Sequence, residues 1–367
     1  MNLSSSPSTA PSTGPTSAPS PGSPAAGRAG AVTDVAPLQV PPPAAVFLGP
    51  HHLVHRPDTP EGFLLSATPP GRHRFGFSAR LSEGHPLCSD STAPFHDMLY
   101  PMESLRQMAI FAAGRYFRVP ADRRILLADC AFAITGLSSW QRDAPADARL
   151  TLDLDLTPAD VVNGVPRSMD CGASISIDDE ECGTVRARLV FLMPGVYRNH
   201  RADSRRESEL TADGNSGLPP GHGTPGAELV GRCSLRNVLI GLPLEEDDES
   251  LTFPVNIPAA REVLPDSGSE VPAALFLEAS RQAALFGVGE LYGLTPGHAV
   301  LTRWEAVFRG FAEPGLPLVC SVRPQHRGAP GEVLRDAAGR PFAELSIVFT
   351  QGMRVVAEVS TSVLQIC

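Results

Sequence analysis

Positive charge is scarce in this sequence. Its 367 residues carry 30 Lys and Arg against 40 Asp and Glu, a formal net charge of −10. Phosphate backbones and anionic lipid surfaces both require a basic face, so this balance argues against nucleic-acid and membrane partners. Long apolar runs are missing too. No stretch of about 18 apolar residues occurs, and no membrane span is expected. Residues 1–45 hold a single basic residue, Arg28, with no apolar core behind it, so no secretory leader is expected. The seven cysteines (Cys88, Cys130, Cys171, Cys182, Cys233, Cys320 and Cys367) are odd in number and widely spaced, without a C-x-x-C. Neither a disulfide framework nor a zinc site is expected, and the thiols read as those of a reduced, cytoplasmic protein. No Gly-rich phosphate loop, G-x-S-x-G elbow or G-x-G-x-x-G follows a strand pattern. Nucleotide binding and serine hydrolysis lack support, and no cofactor or metal is expected.

What is present is enough apolar residue, 42%, to build packed cores. The length suggests two domains. Residues 1–47 are Ser, Pro, Thr, Ala and Gly, a composition that cannot offset its ordering entropy and reads as a disordered tail. The remainder repeats itself. Met102-Glu-Ser-Leu-Arg-Gln-Met-Ala109 matches Leu277-Glu-Ala-Ser-Arg-Gln-Ala-Ala284, and Val54-His-Arg56 matches Val230-Gly-Arg232 at nearly the same offset. The chain therefore divides into a repeat at 48–197, a polar linker at 198–228 and a second repeat at 229–367.

Each repeat reads as the same series. Strand patterns at Gly62–Ala67 and Arg74–Leu81 precede a long helix over about Pro101–Phe117; Asn237–Leu242 and Leu251–Ile257 precede one over Ala273–Tyr292. Further strand patterns follow, at Arg124–Gly136, Ala148–Leu156, Ala173–Ile177 and Gly183–Met193 in the first repeat. In the second they lie at Ala299–Phe311, Leu316–Arg323, Glu332–Arg335 and Pro341–Gln351. Polar turns at Asp178–Gly183 and Asp336–Arg340 are expected to join the last two strands of each unit. Both helices are apolar nearly all round, which belongs in a buried position. The fold class is α+β, with an antiparallel sheet wrapped around one helix per repeat.

A polar notch interrupts each helix. Glu103, Arg106 and Gln107 stand at i, i+3 and i+4 and share one face; so do Glu278, Arg281 and Gln282. Two structural readings stay open, an ion pair on a solvated face and a buried network joining the halves. The chemical reading is a carboxylate that accepts or orients a proton, with a guanidinium fork that holds a carbonyl or phosphate. Arg123-Arg124 reads either as a loop end or as a contact for an acidic carrier surface. The cluster His51, His52 and His55 has no carboxylate or Cys at ligand spacing.

These motifs resemble the A-factor biosynthesis family, the signalling-lactone synthases of actinomycetes. The resemblance rests on the two Glu-x-x-Arg-Gln helices, on Val54-His-Arg56, and on His96-Asp97 ahead of the first helix. It covers about residues 50–365. It implies a tandem hot-dog fold, an internal pseudo-dimer of two repeats. It also implies transfer of a β-ketoacyl group from acyl carrier protein to dihydroxyacetone phosphate, giving a precursor of γ-butyrolactones or butenolides. By position, Glu103, Glu278 and Arg281 are then the expected catalytic residues, and Arg106, Gln107, Gln282, His85 and His96 the expected substrate contacts. The second repeat departs from the family, having no His in Asp266–Ala273 before its helix. Two alternatives remain: a thioesterase or dehydratase-like enzyme on acyl thioesters, and a non-catalytic acyl- or lactone-binding protein.

Overall fold

The computed structural model describes residues 46–48, 63–66, 73–81, 87–142, 148–211, 222–247, 250–264, 271–325 and 333–366, with only the backbone of the strands at 46–48, 63–66 and 245–247. His51, His52, His55, Val54-His-Arg56 and His85 lie outside the described residues.

The first repeat contributes β1 (Val46–Leu48), β2 (Phe63–Ser66), β3 (Arg74–Leu81), helix α1 (Leu99–Arg115), β4 (Arg124–Ile134), β5 (Ala148–Ala159), β6 (Ser168–Ile177) and β7 (Glu180–Leu192). Helix α2 (Pro194–Thr211) follows. The second repeat contributes β8 (Glu245–Asp247), β9 (Ser250–Pro254), α3 (Ile257–Val263), α4 (Ala273–Tyr292), β10 (Ala299–Phe308), β11 (Val319–Pro324), β12 (Leu334–Arg335), β13 (Pro341–Gln351) and β14 (Arg354–Gln365). The sheet order is β1-β2-β3-β5-β6-β7-β4-β10-β14-β13-β11-β9-β8, with β12 beside β13. Read outward from the β4–β10 pair, the two halves run in the same order, the first repeat adding one more strand, β1. The central pair β4–β10 is antiparallel, in register at Cys130↔Ala306 and Phe132↔Trp304. The two repeats thus share one continuous sheet, and both fall in one compact unit, Pro43–Cys367.

Strand β5 shows why the sheet has one dry face. Leu150, Leu152, Leu154 and Leu156 are buried, while Arg149, Asp153 and Asp155 between them are exposed. Each such leucine contributes about 1.5–3 kcal/mol by leaving water. Helix α1 packs on β5, β6 and β7, and α4 packs on β11, β13 and β14. Fourteen of the twenty residues of α4 are buried, Glu278, Arg281 and Gln282 among them. The helix ends at Gly293, whose φ of +66° and N–H bond to the Gly289 carbonyl close its last turn. Among the described residues no helix is long and apolar enough to cross a membrane.

Three segments differ from the sequence reading. The stretch expected to be a structureless linker begins with α2. Apart from Tyr197 near its start, the contacts that hold it are polar: Arg201 donates to both oxygens of Glu313 at 2.8 and 2.7 Å, and Arg354 donates to Ser208 at 3.1 Å. A helix held this way needs few apolar residues, so its composition resembles a linker's. The C-terminal residues form a full strand, β14, that the reading did not assign. The turn at Asp336–Arg340 joins β12 to β13, and the hairpin matching the β6–β7 turn is Gln351–Arg354, with Gly352 at φ +61°. Its only turn signal is that glycine. Finally, Asn237–Leu242 is not a strand. The side chain of Gln282 takes up the backbone polar groups of Asn237 and Leu239 that a strand neighbour would otherwise pair.

Candidate active site

On α1, Arg106 donates through Nε to Glu103 Oε2 at 2.8 Å and through a terminal nitrogen to Oε1 at 2.6 Å. Gln107 adds a bond from Nε2 to Oε1 at 2.9 Å. The helical spacing alone brings the three together. Glu103 is buried, whereas the Arg106 side chain is 23% exposed. Both line a cavity of about 620 Å³. Its apolar wall comes from β4, α4 and the end of β10, with Ile125, Leu127, Phe276 and Phe308. The first turn of α4, Ala273 and Ala274, also faces it, and the N–H groups of a first turn have no acceptor within their own helix. Arg124 and Arg309 are exposed and give the cavity a basic rim, and exposed His200 stands beside them. One cavity therefore combines the carboxylate of the first repeat with a helix start from the second.

The α4 copy is sealed. Glu278 is fully buried, and both its oxygens are taken up by Arg281, Gln282 and a third partner, Arg232. Arg281 donates to the carboxylate at 2.9 and 2.8 Å, and Gln282 at 2.5 Å. Arg232 donates to it at 2.9 and 2.6 Å, and its remaining nitrogen donates to the Leu87 carbonyl at 2.6 Å. The guanidinium also lies 3.0 Å from Asp97 of the first repeat. Burial works to raise the Glu278 pKa, but Arg232 and Arg281 outweigh it and hold the carboxyl below its ordinary value. Burial likewise opposes charge on Arg232, and Glu278 and Asp97 more than restore it. Two cations and two anions thus neutralise one another across the repeat boundary. Gly231 brings Arg232 into place. Its φ is +69°, and a Cβ there would stand 2.6 Å from Leu285 Cδ1 and 3.1 Å from Arg281 Nη1.

A family model described as the A-factor biosynthesis hotdog domain matches residues 43–193 and again 224–366. The chain belongs to this family. Each matched segment of the A-factor biosynthesis hotdog family contains one Glu-x-x-Arg-Gln helix, so the tandem hot-dog fold implied by the sequence holds. No curated protein matches the chain. Similar solved structures include an acyl-ACP thioesterase from Bacteroides thetaiotaomicron, 11% identical, covering 79% of this chain and 97% of its own, with a TM-score of 0.44. Another is the 12:0-ACP thioesterase from Umbellularia californica, 7% identical, covering 80% and 98%, with a TM-score of 0.41.

Within this A-factor family chain, the remaining sequence candidates separate. His96 is half-buried, and burial together with Arg142 lowers its pKa to about 4. The groups that act on it are Arg142 and Asp178, and it does not line the cavity. Its neighbour Asp97 carries the contact to Arg232 and also accepts from the Leu99 N–H at 2.9 Å, at the start of α1. Arg232 and Asp97 were missed as site residues. The signal for Arg232 was its place in the repeated Val-x-Arg, but nothing in the spacing pairs it with Asp97. Burial pushes the Cys182 thiol up to about 11 and Cys171 to about 12, away from thiolate chemistry. Among the described residues no three His, Cys, Asp or Glu are placed to hold a metal ion.

Proposed function

We propose that the protein transfers a β-ketoacyl group from an acyl carrier protein thioester to the hydroxyl of dihydroxyacetone phosphate, and that the Glu103 cavity is where it does so. The observation that carries this reading is the cavity's composition: a buried carboxylate, an apolar wall and a basic rim in one space. Family membership supports it. An acyl chain fits the wall at Ile125, Leu127, Phe276 and Phe308, and an anionic acceptor fits the rim.

In this mechanism Glu103 takes the proton of the acceptor hydroxyl as the oxygen attacks the thioester carbonyl carbon. Arg106 and Gln107 orient that carboxylate. The carbonyl oxygen becomes an oxyanion beside the first-turn N–H groups of α4. Collapse of the oxyanion restores the C=O and breaks the C–S bond, which leaves the new C–O ester, and the departing thiolate takes the proton back from Glu103. Glu278, Arg281 and Gln282 act as positioning residues: with Arg232 they fix α4, and hence its first turn, against the first repeat.

Mass spectrometry of the purified protein with β-ketoacyl carrier protein and dihydroxyacetone phosphate tests this. A phosphorylated β-keto ester is expected, with Glu103→Gln lowering kcat about 10²–10⁴-fold. Free acid formed at the same rate with and without acceptor would instead make the protein a thioesterase. Tight acyl binding without turnover would make it a binding protein.

A further inference from the structure

We propose that Arg124 receives the phosphate of the acceptor, an assignment that rests on the acyl-transfer reading and adds a specificity residue to it. Arg124 opens β4, lines the same cavity as Glu103, and is exposed at its rim. Its guanidinium carbon lies 5.6 Å from the centre of the Tyr197 ring. Tyr197 is itself buried and packed edge-on against Phe311, ring centres 5.3 Å apart, so the platform under Arg124 is fixed.

The neighbouring arginines are committed elsewhere. Arg106 is locked to Glu103. Arg309 donates to Glu358 at 2.8 and 2.6 Å. Arg201 grips Glu313, and Arg354 grips Ser208 and the Phe311 carbonyl. Among the described residues no ion pair holds Arg124. A guanidinium stacked on a ring keeps its N–H edge for a ligand, and its fork matches two oxygens of a phosphate. His200 and Ser204, one helical turn apart on α2, line the cavity as well and add hydrogen-bonding groups. An acidic carrier-protein surface is a poorer occupant, because Arg124 shares a concave space with the apolar wall.

Phosphate reaches this cavity from two sources, the acceptor and the phosphopantetheine arm of the carrier. The full-length protein and its Arg124→Gln and Arg124→Lys variants separate them. Calorimetric titration with inorganic phosphate and with dihydroxyacetone phosphate, at fixed ionic strength, is expected to show affinity reduced at least tenfold in R124Q and less in R124K. Steady-state kinetics are expected to show the KM for the acceptor raised at least tenfold, with the KM for the acyl carrier protein changed less than twofold. Unchanged phosphate affinity in R124Q overturns the proposal. So does a KM effect confined to the carrier, which would assign Arg124 to the arm. If wild-type protein forms no ester but R124Q still loses phosphate affinity, the anion site stands and the transfer reaction falls.

Discussion

Glu278 accepts five hydrogen bonds from Arg232, Arg281 and Gln282. Glu103 stands at the same helical spacing but faces a cavity. The difference between the two copies is one of surroundings, since the residue types are identical. Removing the charge of Glu278 leaves two guanidinium groups in a dry interior with Asp97 as their one remaining counter-charge. Glu278→Gln is therefore expected to cost about 3–5 kcal/mol, read as a large drop in denaturation midpoint. Because its folded pKa is depressed, the stability it supplies is complete above the ordinary glutamate value of about 4.3 and is lost as pH falls towards the folded value. The wild-type protein should thus weaken in this acid range by more than the variant does. A Glu278→Gln protein as stable as wild type would show that the network holds nothing together. Sequence made the two triads legible, because i, i+3, i+4 spacing is local. It left Arg232–Asp97 hidden, since that contact depends on where two distant loops meet.

Helix α2 is the element on which the cavity rim depends. His200 and Ser204 project from it, Tyr197 sits near its start, and Arg201 anchors it to Glu313, only 3% exposed. Glu313 is held in turn by its backbone, which exchanges hydrogen bonds with the Gln351 side chain. Arg201→Ala strips a nearly buried carboxylate of its guanidinium. The expected cost is roughly 2–3 kcal/mol, below that of a fully buried pair because Arg201 keeps partial contact with water. The loss should be local. Limited proteolysis is expected to cut within 194–211 in the variant first, and the KM for acceptor to rise. Cleavage there at the wild-type rate would count against α2 as a docked wall. Polar anchoring also explains why this helix was unreadable: its Arg, Ser and Glu residues look solvated until their partners on another element are known. Strand β14 was hidden for a related reason. Ser360, Thr361 and Ser362 break its apolar alternation, yet Thr361 is buried and donates to the Arg303 carbonyl at 2.7 Å.

At the scale of the whole molecule, the duplication visible in the sequence becomes a near-palindromic sheet, and the boundary between copies becomes its interior. Apolar alternation and two buried-type helices sufficed for one wrapped helix per repeat, because both follow from local period; the tandem hot-dog was what the family resemblance implied. What local period does not encode is how much each half depends on the other. Without β10, strand β4 presents an open edge in the middle of a sheet, an invitation to pair with another chain. Without the first repeat, Arg232 loses Asp97 and the Leu87 carbonyl, leaving part of a buried guanidinium unmet. Neither half should fold alone. Residues 48–228 and 229–367, expressed separately, are expected to be insoluble or self-associated, and co-expression should recover a stoichiometric heterodimer that melts cooperatively. Size-exclusion chromatography with circular dichroism decides it. A monomeric half with a sharp thermal transition would mean that the repeats are independent domains, and that the charge network crossing between them adds little to either.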